Sequence, residues 1–179
     1  MTSDHDRKLL LTLAREAIAA HVGAAPAHAP AITGALAKPG GAFVTLRLRG
    51  ELRGCIGHIE PTDPIGRAVP QCAVAACSAD PRFPPVTPAE LPQIEIEISL
   101  LGPLEPIAGP SDIEIGRHGL VVQQGWARGL LLPQVAIDWR WDAETFLGQT
   151  CHKAGLPNDA WKHGPKIWRF EAEAFTEGR

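Results

Sequence analysis

The stretch Ala42-Phe43-Val44-Thr45-Leu46-Arg47-Leu48-Arg49-Gly50-Glu51-Leu52-Arg53-Gly54-Cys55-Ile56-Gly57 decides the fold. Its apolar residues Val44, Leu46 and Leu48 alternate with Thr45, Arg47 and Arg49, the period-two signature of a half-buried strand. Gly50 then supplies a turn, and a second strand-like run continues over 52–59. The pattern predicts a hairpin. A two-residue turn, at Arg49-Gly50 or at Gly50-Glu51, sets Cys55 on the apolar face with Val44, Leu46 and Leu48. A three-residue turn reverses the parity and sets it beside Thr45 and Arg47.

Outward from this hairpin the elements are mixed. Leu9, Leu10, Leu13, Ala14, Ala17, Ile18 and His21 recur at helical spacing, predicting an amphipathic helix over about 3–22. The Ala-, Pro- and Gly-rich stretch 22–41 reads as a loop, flexible at its middle. Asp63 as N-cap and Pro64 at N1 start a second helix carrying Ile65, Ala68, Val69, Cys72, Ala73 and Ala76, which Pro70 kinks or delays. The proline-dense segment 81–92 must be a loop of restricted shape. Ile94, Ile96 and Ile98 alternate with Glu95, Glu97 and Ser99 as a strand, with further strands at 120–124, 129–132 and 167–175. Asp142 caps a helix that turns Phe146, Leu147 and Cys151 inward and stops at Gly155. Strands and helices without a βαβα repeat indicate an α+β fold, mostly an antiparallel sheet with flanking helices, in a single domain over 1–179.

Composition narrows the function classes. A chain of 179 residues, 45% apolar and 21% charged, has the make-up of an ordinary globular domain. The net charge of −3 and the lack of a basic face beyond Arg47, Arg49 and Arg53 argue against a nucleic-acid partner. Apolar runs such as Leu130-Leu131-Leu132 are far shorter than the roughly 20 residues of a membrane span. The N-terminal Asp4-His5-Asp6-Arg7-Lys8 does not resemble a signal peptide, so a cytoplasmic protein is expected. Cys55, Cys72, Cys77 and Cys151 lack the density of a disulfide scaffold and read as reduced thiols. A monomer or weak homodimer is expected.

No phosphate loop, dinucleotide GxGxxG, HExxH, CxxC or GxSxG pattern occurs, so no cofactor and no metal is assigned. Two segments stand out instead. In Leu52-Arg53-Gly54-Cys55-Ile56-Gly57 two glycines bracket a cysteine within a strand, which suggests a bulge or the close approach of another backbone or ligand. Arg53, two residues from Cys55, sets a guanidinium beside the thiol, an arrangement that favours a thiolate nucleophile. The competing reading is a core cysteine, free Cys being among the most buried residue types. Asp80-Pro81-Arg82-Phe83-Pro84-Pro85-Val86 offers a carboxylate, a guanidinium and a ring on a stiffened backbone. The alternative is that Asp80 caps a turn, Arg82 pairs with it and Phe83 plugs the core. Glu95 and Glu97 share a strand face opposite the three isoleucines; paired carboxylates can serve acid/base work or bind a cation, but more often such a pair is the solvated side of a half-buried strand. Cys72, Cys77 and Cys151 read as core residues. Cys55 and His58 lie three apart, which on a regular strand turns them to opposite faces and disfavours a shared metal.

These two segments, together with Glu95-Ile96-Glu97-Ile98-Ser99, Arg117-His118-Gly119-Leu120-Val121, Gly129-Leu130-Leu131-Leu132-Pro133-Gln134-Val135 and Cys151-His152-Lys153-Ala154-Gly155-Leu156, resemble in order the blocks of the AMMECR-type domain family, also called AmmeMemoRadiSam system protein A. Pro70, inside the second helix, and His58, at a variable position, depart from or add nothing to that pattern. The resemblance implies a main body and a smaller subdomain with a cleft between them, lined by Arg53, Gly54, Cys55 and Gly57 together with Asp80, Arg82 and Phe83. It also implies association with a Memo-like protein and a radical SAM enzyme. The expected function is an accessory or regulatory module that binds a small ligand or a partner protein. The alternative is a thiol-dependent enzyme, with Cys55 as nucleophile or redox thiol, Arg53 as its activator or anion contact, and Glu97 or His118 handling protons.

Overall fold

The structure, a computed structural model, describes residues 2–26 and 32–177. It is α+β, with helices α1 (Asp4–His21), α2 (Ile65–Ser78), α3 (Pro133–Asp138) and α4 (Ala143–Lys153) and strands β1 (Gly41–Leu48), β2 (Glu51–His58), β3 (Ile94–Leu101), β4 (Glu105–Pro106), β5 (His118–Gln124), β6 (Ala127–Leu131) and β7 (Lys166–Thr176). The ladders β1–β2, β1–β3, β4–β7, β5–β6 and β5–β7 are all antiparallel. The chain divides into two compact units, Met1–Leu101 with Glu173–Arg179, and Gly102–Ala172.

In the first unit β1 lies between β2 and β3, which leaves β2 at an edge. Leu10, Ala14 and Ile18 of α1 and Cys72, Ala73 and Ala76 of α2 join Val44, Leu46, Ile94, Ile96 and Ile98 in one core cluster. Burying each large aliphatic chain of this set contributes roughly 1.5–3 kcal/mol, so this face fixes the strand alternation. Helix α1 starts at a reciprocal capping box, Ser3 accepting from the Asp6 N–H and Asp6 from the Ser3 N–H. Pro64 rather than Asp63 is the N-cap of α2, without a side-chain cap, and the helix runs on through Pro70 without a delayed start.

The second unit carries its own core of Leu120, Val122, Ala136, Phe146, Leu147, Cys151 and Ile167. Asp142 caps α4 by accepting from the Thr145 N–H at 2.8 Å, and Gly155, at φ +77°, follows its end. Not all of the Ala/Pro/Gly stretch is loop: Gly34–Ala37 forms a 3₁₀ turn that buries Leu36. The middle of that stretch, where flexibility is expected, lies at 27–31, outside the described residues.

The hairpin register decides where the thiol points. Arg49 (φ +55°) and Gly50 (φ +85°) form a two-residue turn with both central residues at positive φ, the geometry that matches strand twist. Alone, that turn would place Cys55 with Val44 and Leu46. A bulge intervenes: Arg47 opposes Leu52 but Leu46 opposes Gly54, so Arg53 is an extra residue on β2. Every residue beyond it changes face, and Cys55 comes opposite Thr45. The two-residue turn forms, but one inserted residue gives Cys55 the Thr45 face that the sequence ties to a three-residue turn.

Candidate thiol site

Gly54 accounts for the helix side of the bulged strand. A Cβ built there would stand 2.1 Å from the Ala76 carbonyl oxygen of α2, so the strand and the helix backbone touch only because this residue is glycine. At Gly57 the Phe43 ring occupies the space, 2.3 Å from where a Cβ would be. Both glycines of the hexapeptide are thus matched to atoms of the chain itself.

On the other face, Cys55, Thr45 and Glu97 form one row across β2, β1 and β3. The Thr45 hydroxyl lies 3.3 Å from the Cys55 sulfur. Cys55 is the one free cysteine of four that is not buried. Burial pushes the Cys72 thiol up to about 11 and also raises Cys77 and Cys151, so none of these three ionises readily near neutrality.

The backbone N–H of Cys55 is bonded by Asp80 Oδ2 at 2.9 Å rather than by β1. Asp80 is only 4% exposed. Its Oδ1 accepts from the Arg82 N–H (3.1 Å) and Nε (3.0 Å), and its Oδ2 also accepts from Arg82 Nη2 (2.7 Å). The Arg82 guanidinium, above all, holds this carboxyl well below the usual carboxylate range. The guanidinium also lies 5.4 Å from the centre of the Phe83 ring.

Arg53 makes the second clamp. Its Nε donates to Glu90 Oε1 (2.8 Å), Nη1 to the Pro84 carbonyl (2.7 Å) and Nη2 to the Pro85 carbonyl (3.2 Å) and Glu90 Oε2 (3.3 Å). Glu90 is lowered to about 2, first by Arg53 and then by the Thr87 N–H. Val86, not Phe83, is the residue of this loop that enters the core, while its N–H bonds the Cys77 carbonyl at 2.7 Å. The loop and the hexapeptide thus form one structure, in which Asp80 satisfies the Cys55 N–H on the edge strand β2 and Arg53 reaches across to the loop.

The first unit by itself brings together Arg53, Gly54, Cys55, Gly57, Asp80, Arg82 and Phe83, with Glu97 at the far end of the Thr45 row. His118 belongs to the second unit, where its Nδ1 accepts from the Glu114 N–H at 2.9 Å. Accepting at Nδ1 leaves the ring proton on Nε2, and burial first, then Arg169 and Arg117, lowers the proton affinity of the ring. One residue of the site escapes sequence reading, Glu90, which lies 37 positions from its partner; Thr45 appears in that reading only under one of the two hairpin parities. Among the described residues no group of three or more His, Cys, Asp or Glu side chains is placed to hold a metal ion.

Fold and site together define a class: an α+β protein of two antiparallel units, carrying a thiol on a bulged edge strand that a proline-stiffened loop clamps. The chain belongs to the AMMECR1 family, whose model matches residues 11–175. It is similar to a protein of Methanothermobacter thermautotrophicus, 52% identical over 76% of this chain and 75% of that one. A Thermofilum pendens protein is 44% identical over 98% of this chain and 91% of its own length. The fold matches the crystal structure of the uncharacterized protein PH0010 from Pyrococcus horikoshii with a TM-score of 0.91 and 40% identity, covering 98% of this chain and 93% of that one.

Proposed function

We propose that this protein is an accessory or regulatory module whose surface around Cys55 recognises a small ligand or a segment of a partner protein. One observation carries the reading: a buried carboxylate and a fully engaged arginine lock two distant segments into a single frame that presents Cys55, Arg82 and Phe83. Groups held this way lose little freedom on binding, which is what recognition surfaces need. A Memo-like protein and a radical SAM enzyme are the partners proposed. Four free cysteines, three of them buried, suit a reducing compartment such as the cytoplasm, and no helix among the described residues is long and apolar enough to cross a membrane.

Pull-down with the tagged chain under reducing conditions is expected to retain one of these two proteins. An Arg82→Gln, Phe83→Ala double variant is expected to release it. Failure to retain either protein counts against the partner reading.

A second reading is supported by the part-exposed thiol beside a hydroxyl: Cys55 acts as nucleophile or redox thiol, with Glu97 along the same row handling protons. Both readings require solvent access at Cys55. Iodoacetamide on the native protein is therefore expected to modify Cys55 well before Cys72, Cys77 and Cys151, which react only on unfolding. Peptide mapping decides it, and equal protection of all four thiols would remove both the nucleophile and the recognition surface around Cys55.

A further inference from the structure

The two arginines of the site differ in what they have left to offer. Arg53 has a side chain only 12% exposed, and each of its guanidinium nitrogens is bonded to Glu90 or to a proline carbonyl. Arg82 has a side chain 51% exposed. One edge of its guanidinium, Nε and Nη2, faces Asp80, and Nη1 has no partner among the described residues. A single oxygen, Asp80 Oδ2, accepts from both Arg82 Nη2 and the Cys55 N–H, so the free guanidinium edge is joined to the cysteine backbone through one atom.

The charges are also arranged asymmetrically. Both Asp80 oxygens accept hydrogen bonds and the carboxylate is buried, while the cation is half in solvent and lies against the Phe83 ring. The pair therefore presents its positive end outward. Glu97, the acidic residue of the row, is two strands from Cys55, about 10 Å at strand spacing, which is near the screening length at physiological salt.

We propose that the Cys55 surface is selective for oxyanions: the free edge of Arg82 receives a carboxylate or phosphate of the ligand and sets the remainder of that ligand over the Cys55 thiol. This rests on the reading of the Cys55 surface as a recognition site. It assigns to Arg82 the anion contact that the sequence suggests for Arg53, and it narrows the ligand to small carboxylates, phosphate esters or acidic side chains. The planar fork of arginine matches such groups with two parallel hydrogen bonds.

Two alkylating reagents differing only in charge test it on the intact chain. In each, the thiolate sulfur bonds the methylene carbon and iodide leaves. Cys55 modification by iodoacetate and by iodoacetamide is followed by peptide mapping, and the rate ratio is divided by the same ratio for Cys55 in the denatured chain. The native protein is expected to favour iodoacetate about fivefold on this scale, the factor one exposed charge interaction supplies. Arg82→Gln should return the ratio to one and Arg82→Lys should keep part of it. Added inorganic phosphate or acetate should slow iodoacetate more than iodoacetamide, and the stronger competitor identifies which oxyanion is preferred. A native ratio of one, or a ratio that Arg82→Gln and Arg82→Lys both leave unchanged, overturns the oxyanion site while leaving Cys55 accessible. Protection of Cys55 from both reagents overturns the recognition reading itself.

Discussion

Replacing Gly54 by alanine is expected to destabilise the first unit by about 3–4 kcal/mol, although it adds one methyl group. That methyl would stand 2.1 Å from the Ala76 carbonyl oxygen, and the obstacle is helix backbone, which cannot step aside as a flexible side chain can. Relief requires β2 to move from α2, which opens the cluster formed by Ala73, Ala76 and Val44 and pulls the Cys55 N–H away from Asp80. Urea denaturation followed by far-UV circular dichroism should show the first transition at a lower midpoint. Ala76→Gly does not remove the carbonyl and should not rescue the variant. A loss below about 1 kcal/mol would mean that the strand and helix are not in backbone contact.

The same contact shows why part of this molecule is legible from sequence and part is not. Period two in Ile94, Ile96 and Ile98 and helical spacing in Leu10, Ala14 and Ile18 are local patterns, and each places its residues in the core. The Asp142 cap is local as well, its partner Thr145 lying three residues away. The hairpin turn is local too, and a two-residue turn is what forms. The bulge at Arg53 is not local in origin: it is coupled to the fit of Gly54 against α2 and to Arg53's reach into the proline-rich loop. One extra residue then reverses the face of Cys55. The six-residue helix α3 and the two-residue β4 are too short to show a period, and the sequence reading lacks both.

The site is legible in the same divided way. Both unusual segments are visible as sequence, and the structure shows that they are one object, but their joining depends on contacts 25 and 37 residues apart. Arg53 is the instructive residue. Two positions from Cys55, it reads as the activator of the thiol, yet its guanidinium faces Glu90 and two prolyl carbonyls. Arg82, 27 residues from Cys55 by number, is the arginine with an open edge. Proximity in sequence along a strand predicts a shared face only where the strand is regular.

Asp80→Asn carries the second large effect, because one carboxylate serves four donors: the Cys55 N–H and three N–H groups of Arg82. An asparagine has one acceptor oxygen, and its amide group would turn N–H toward N–H at the other position. Hydrogen bonds to a buried charge that are lost in this way cost about 2–4 kcal/mol in total at neutral pH. The pH dependence gives an independent check. Asp80 and Glu90 are both held below their ordinary values in the folded chain, Glu90 from 4.5 to about 2. For a depressed carboxyl the contribution is complete above the unfolded value and fades as pH falls through the folded one. Wild-type stability should thus fall from about pH 5 toward pH 2, the Glu90 share fading between about 4.5 and 2, and Asp80→Asn should be weaker at neutral pH with a shallower acid limb. With the edge of β2 released, Cys55 should also alkylate faster in the variant than in the wild type. Unchanged stability at pH 7, together with an unchanged acid limb, would show that Asp80 does not hold the two segments together, and the recognition surface built on that clamp would have to be abandoned.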